Sequence, residues 1–351
     1  MSYNSRGQEE ARVRKSRKTE LVIIAVTVAT VVLVYTATTI GHSSKCPIVP
    51  MVPMVPMVPM ASTKPPPGKN PCANTDPQTE AVSCFAQGVR EQAGATVTKG
   101  YQGNFQTSAV PISVPFFEAG LCPVNVHWHL GAEHKSAGEY DENGTGPTSR
   151  TSRLGGNPSV QTVRLGFQCH LYDSNSVQFT KAFDWKHCRS MVVGETYEVH
   201  WPHSKGGACG TVNQYQTPFF DGIFCNSDKL TPTTYEAIGV QSQTFVIVND
   251  EAFYYPELLR GMLVDGTYGQ DIARYTGSTT GTAVNNDNCS SYTPITWQVD
   301  RKCHLVSASS FDKMCADMQA QRDDMSNDLA PHGSRELVDD RIAANNHKSG
   351  I

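Results

Sequence analysis

The chain has 351 residues, of which 39% are hydrophobic and 18% charged, and a formal net charge of −4. That is enough apolar material for one large domain with appendages. The acidic balance excludes nucleic acid as a partner, because phosphate binding needs a basic face.

The N-terminal twenty residues carry Arg6, Arg12, Arg14, Lys15, Arg17 and Lys18, and the stretch Leu21 to Ile40 holds no charge. Twenty uncharged, mostly apolar residues suffice to cross a bilayer, and the basic flank stays cytosolic. This predicts a signal anchor over 21–40 and a type II topology, with the remainder extracellular, periplasmic or luminal. Cleavage after the small residues Ala37, Thr38 and Thr39 is the alternative. From Pro47 to Met60 a Met-Val-Pro triplet repeats, and Pro65, Pro66 and Pro67 follow. Recurrent proline fixes φ and removes donors, so residues 41–69 read as an extended polyproline stalk.

Eleven cysteines suit an oxidising compartment. Cys46 lies in the stalk, where it is free or joins two stalks. The other ten allow up to five bridges of unspecified pairing. No C-x-x-C pair is present. Asn143 with Thr145 forms a glycosylation sequon, and Asn288 with Ser290 a second.

Residues 70–318 have a β-rich texture of short apolar runs broken by Gly, Pro, Asn and Ser. Strands are expected over 124–130, 162–171, 197–201, 243–248 and 295–299, and helices over 80–92 and 311–325. The fold class is mainly β (α+β), a single disulfide-containing ectodomain around a twisted, mostly antiparallel sheet. The segment Tyr275 to Thr280 reads as a Ser/Thr turn before an ordinary core strand. Residues 319–351 are polar and lack aromatics, which predicts a mobile or loosely helical tail without a function.

The informative stretch is Cys122 to His134, CPVNVHWHLGAEH. On a strand, alternation sends His127 and His129 to one face and Val126, Trp128 and Leu130 to the other. Two imidazoles on one rigid strand are half of a zinc site, and a third nitrogen from elsewhere completes a catalytic set of three with one open position. Glu133 and His134 follow as groups that would orient the ligands. In Glu195 to Trp201, Glu198 and His200 share a face. A carboxylate there can accept the other ring N–H of a ligand imidazole and fix its tautomer.

The run Val126 to Ser136, VHWHLGAEHKS, together with Tyr197 to Trp201, YEVHW, resembles the delta-class carbonic anhydrases of marine microalgae. The resemblance spans about 84–318. Part of the pattern is also similar to the alpha class, whose site runs His-x-His, Gly-Ser-Glu-His, Glu-Leu-His and then a Tyr-Pro-Gly-Ser-Leu-Thr-Thr loop before a Val-Thr-Trp strand. That resemblance implies His127, His129 and His200 as zinc ligands and Glu198 as the partner of His200. It further implies Thr280 as the gatekeeper hydroxyl, Glu133 as the carboxylate that fixes it, and Trp297 as a wall of the CO₂ pocket. The chain departs from the alpha pattern at Thr276, Thr279 and Gly281, and it has no histidine between His42 and His127. The proton shuttle is therefore unspecified among His134, His170, His187, His203 and His304.

The activity so implied is reversible hydration of CO₂ to bicarbonate and a proton, supporting inorganic carbon supply. The implied cofactor is Zn²⁺, with Co²⁺ or Cd²⁺ replacement conceivable. Zinc held by three neutral imidazoles lowers the pKa of its water to about 7, the figure known for carbonic anhydrase itself. Two alternatives stay open. A cupin-type metal enzyme would use Glu133 as a direct ligand, and a non-catalytic stalked ectodomain would need no metal.

Overall fold

The structure is a computed structural model that describes residues 94–104, 109–124, 126–147, 166–205, 236–263, 271–277, 295–321, 329–334 and 337. The expected anchor, the stalk, the helix over 80–92, Cys46, Asn288 and Thr280 lie outside these residues. Among the described residues no helix is long and apolar enough to cross a membrane.

Among the described residues eight strands are formed: β1 (Cys122–Pro123), β2 (His127–Leu130), β3 (Tyr140–Asp141), β4 (Gln168–Cys169), β5 (Thr196–Ser204), β6 (Ile238–Val248), β7 (Ile272–Gly277) and β8 (Ile295–Ser307). Six of them make one sheet in the order β1-β5-β6-β8-β7, with β2 also paired to β5. β3 and β4 form a separate two-stranded sheet. The main sheet is mixed, because β6 and β8 run parallel while the other pairs are antiparallel.

Residue alternation sets two faces. On one, Trp128, Leu130, Tyr197, Val199, Trp201, Phe245 and Ile247 bury against Phe311, Met314 and Met318 of the helix Ala308–Gln321. On the other, Val240, Val246, Ala273, Tyr275, Trp297 and Val299 build a second core. Both faces are thus covered, so β6 reads as a nearly continuous buried run and not as clean alternation. Each buried Trp or Tyr brings a polar tip that needs a partner, and Trp201 Nε1 donates to the Leu258 carbonyl at 2.9 Å.

Two disulfides whose cysteines both lie among the described residues fasten the periphery to this frame. Cys169–Cys303 ties β4 to β8, and Cys188–Cys315 ties the 181–195 loop to the helix. They join residues 134 and 127 positions apart, so each removes much unfolded-state freedom, on the order of 2–4 kcal/mol. Cys122 is disulfide-bonded as well.

Two expectations are corrected. Ile272–Gly277 is a strand paired with β8, so Tyr275 and Thr276 lie in the sheet and not in a turn. The polar character of Arg274 and Thr276 hid its core-facing partners Ala273 and Tyr275. The expected mostly antiparallel sheet is found, with one long parallel pair, β6 with β8, within it. The chain beyond the helix is not loose over 329–334: Leu329–Ser334 lies along β2, with the Leu130 N–H donating to the His332 carbonyl and the His332 N–H to the Trp128 carbonyl, each at 2.8 Å. Buried Leu329 anchors it in the helix-side core.

Candidate metal centre

Antiparallel pairing of β2 with β5 sets His127 opposite His200 and His129 opposite Glu198. Because directly opposed residues share a face, this register places three imidazoles and one carboxylate together. The ring centroids of His127 and His129 are 5.3 Å apart, those of His127 and His200 5.2 Å, and those of His129 and His200 4.8 Å. His129 and His200 are buried, while His127 is partly exposed.

Glu198 organises the inner side. Its Oε2 accepts the Glu133 and His134 backbone N–H groups at 2.5 and 3.0 Å. Its Oε1 accepts His134 Nδ1 at 2.5 Å, His200 Nε2 at 2.8 Å and the Ser242 hydroxyl. Burial alone would raise this carboxyl's pKa, but the charge of His134 and the hydrogen bonds from His134 and His200 hold it well below the usual carboxylate range. An ionised Glu198 can only accept, so His200 donates through Nε2–H and keeps its Nδ1 lone pair for another partner. His134 likewise donates through Nδ1–H, and its Nε2 lies 2.7 Å from the Tyr275 hydroxyl oxygen. Burial, then the Glu198 charge, pushes the Tyr275 phenol well above its usual value, which keeps it protonated.

His129 is oriented from the C-terminal segment. Its Nδ1 lies 3.1 Å from the Gly333 carbonyl and 3.2 Å from Glu133 Oε1, and both can only accept. Nδ1 therefore carries the proton, and Nε2 presents its lone pair. That segment also brings His332, whose ring stacks on His127 at 5.2 Å and meets His129 edge-on at 5.3 Å.

Three overlapping groups bring ligand atoms within 4.8 Å of one another: His127, His129 and His332; His129, Glu133 and His200; and His134, Glu198 and His200. The last is a hydrogen-bond network, since Glu198 already accepts five donors and both His134 nitrogens are engaged. In the second, Glu133 meets His129 through the nitrogen that faces Gly333, behind the ring and away from its lone pair. What remains is the all-imidazole group of His127, His129 and His332, with His200 in ring contact with His127 and His129. That donor chemistry fits a borderline-soft metal such as zinc.

A sequence model of the delta carbonic anhydrase family matches residues 118–310, more than half of the chain. The chain belongs to the delta carbonic anhydrases. It is an enzyme of the lyase class that acts on CO₂ and bicarbonate. The cupin and non-catalytic alternatives fall with that assignment. No curated protein matches. Among solved structures, a crystal structure of dioscorin complexed with ascorbate aligns over 76% of this chain and 88% of that one, at 11% identity and a TM-score of 0.27. At that score the likeness carries no argument.

The sequence brought His127, His129, Glu133, Glu198, His200 and Trp297 forward, and the delta carbonic anhydrase fold gathers them. Trp297 packs beside His200 and His134, with ring centroids 5.3 and 4.8 Å away. Thr280 lies outside the described residues. His134 is corrected as a proton-relay candidate: it is fully buried between Glu198 and Tyr275. His203 falls too, because burial pushes its imidazole down to about 4 despite the Trp201 carbonyl it bonds. His170, His187 and His304 stay near the surface on Asp141, Gln319 and Asp300. Sequence reasoning missed Ser242, Tyr275, Gly333 and His332. For His332 and Gly333 the signal was slight, one of two histidines in a polar tail.

Proposed function

We propose that this carbonic anhydrase is zinc-dependent and that His127, His129 and His200 hold the metal. The observation that carries the reading is the β2–β5 register, which sets His127 against His200 and His129 against Glu198. Zinc at such a site supplies a nucleophile at neutral pH by lowering the pKa of its water.

The chain's own residues do the rest. Glu198, ionised and buried, holds His200 through Nε2, so that Nδ1 would be the nitrogen to hold the metal, and makes that imidazole more basic. His134 and Tyr275 back Glu198 in turn, so that the carboxylate stays charged without water. Gly333 and Glu133 fix the His129 tautomer. Trp297, buried beside His200, offers an apolar wall where an uncharged substrate can sit with water excluded. Glu133 and Thr280 are assigned the orienting hydrogen-bond pair, with the Thr280 hydroxyl donating to Glu133. Co²⁺ and Cd²⁺ fit the same imidazole donors.

The enzyme works outside the cytosol, anchored through residues 21–40, in the supply of inorganic carbon. Disulfides Cys169–Cys303 and Cys188–Cys315 support an oxidising compartment, and exposed Asn143 supports glycosylation there.

The test is CO₂ hydration by the purified full chain with metal analysis, before and after chelation. Near one zinc per chain, loss of activity with the metal and recovery on adding Zn²⁺ support the reading. Full activity after complete removal of metal contradicts it.

A further inference from the structure

The C-terminal segment lays an imidazole against the cluster that the three-histidine reading does not use. β2 has a neighbour on each side. On one it pairs with β5, which sets His200 opposite His127. On the other Leu329–Ser334 runs beside it, with His332 bridged to His129. His200 and His332 thus flank β2 from opposite sides, and among the described residues no group of close ligand atoms contains both. We propose that His127, His129 and His332 form a second, outer metal position, which catches an incoming ion before His200 takes the place of His332. This inference rests on the metal reading above.

The two positions share His127 and His129, each of which stands in ring contact with both His200 and His332, at 4.8–5.3 Å between centroids. His129 has Nδ1 turned to Gly333 and Glu133, so its other nitrogen serves one ion at a time and the positions fill in alternation. They differ in access. His200 is locked to Glu198 and backed by Trp297, on the buried side. His332 stacks on His127, the partly exposed member of the set, so an ion arriving from solvent meets that pair first. Ligand atoms of His127, His129 and His332 already lie within 4.8 Å of one another, and three imidazoles are a set that zinc accepts. Once the ion has passed to His200, His332 is off it, and the fourth position is left to water as hydration requires.

The placement of His332 is built in. Two backbone hydrogen bonds seat it on β2, and the Ser334 hydroxyl donates to the Leu130 and Gly131 carbonyls at 2.8 and 3.2 Å. The segment meets Gly166, which has φ +71° and where a Cβ would lie 2.5 Å from Ser334 Oγ. Only glycine leaves room for this approach. The outer imidazole is therefore held in position before metal arrives, and capture costs little ordering.

The experiment strips the full chain of metal, follows Co²⁺ uptake by its visible spectrum in stopped flow, and then follows release to a chelator. His332→Gln should take up Co²⁺ about 10-fold more slowly and release it more slowly by the same factor, because the route in is also the route out. Its equilibrium affinity should then match that of the wild-type chain. His200→Ala should keep a weak Co²⁺ position, and adding His332→Gln should remove it. In the wild-type chain the first spectrum formed should match that of Co²⁺-loaded His200→Ala before it converts to the final one, a readout that needs no change at His332. Uptake by His332→Gln at the wild-type rate overturns the proposal, as does weak binding in His200→Ala that His332→Gln leaves unchanged. Appearance of the final wild-type spectrum in a single step overturns it as well. A wild-type chain that takes up no Co²⁺ defeats the metal reading itself, and this inference with it.

Discussion

Glu198 Oε1 lies 2.8 Å from His200 Nε2, two residues along the same strand and on the same face. The pair fixes which nitrogen of His200 is available, and it does so from a position with no water to screen it. Glu198→Gln keeps the size and removes the charge, so one of the two imidazole donors must turn or go unsatisfied. Metal affinity should drop about 10- to 100-fold with the fold intact, read by chelator competition. Unchanged affinity would remove Glu198 from the role given to it.

Glu133 has a different place. Its carboxylate meets the rear nitrogen of His129, so Glu133→Gln should retain zinc while the hydration rate falls by about 10- to 1000-fold. Thr280→Ala should resemble it, and the double variant should cost little more than either single, because groups acting as one unit are not additive. Zinc content and rate across the four proteins check this. Loss of zinc from Glu133→Gln would make that carboxylate a ligand.

His203 gives the fold a pH dependence away from the metal. It is buried against the Phe116 ring and donates Nδ1–H to the Trp201 carbonyl, and its pKa falls from 6.5 to about 4. The folded pKa lies below the unfolded one, so the unfolded chain binds the extra proton first. This contribution is full above pH 6.5 and is lost as pH falls through about 4, to a total of about 3 kcal/mol. Denaturant midpoints measured from pH 7 to 4 should fall less steeply for His203→Gln than for wild type.

The fold was legible where alternation was strong. HWHL and YEVHW each show one apolar and one polar face, and the structure pairs those two strands. It was less legible where both faces are buried, as in Ile238–Val248, and where polar side chains meet partners inside, as with Tyr275 and His134. The site's C-terminal part was invisible for another reason. Leu329–Ser334 has no periodicity of its own and is held by β2 backbone groups, a long-range pairing that local sequence does not encode.

Gly166 tests that pairing. Gly166→Ala places a methyl into Ser334 and the Gly131 backbone at a positive φ, so it should destabilise the chain by about 1–3 kcal/mol and expose Leu329–Ser334. Hydrogen exchange at the His332 amide should rise more than at Ile272–Gly277. Equal change in both would make the effect global and not a release of the segment.

The central claim is that the β2–β5 register makes a three-histidine zinc site, and zinc stoichiometry with hydration rate in two single variants of β5 tests it most directly. His200→Ala should lose most of its zinc and its activity, whereas His203→Ala, three residues on with its ring against Phe116, should keep the metal. Full zinc occupancy and full activity in His200→Ala would contradict the account.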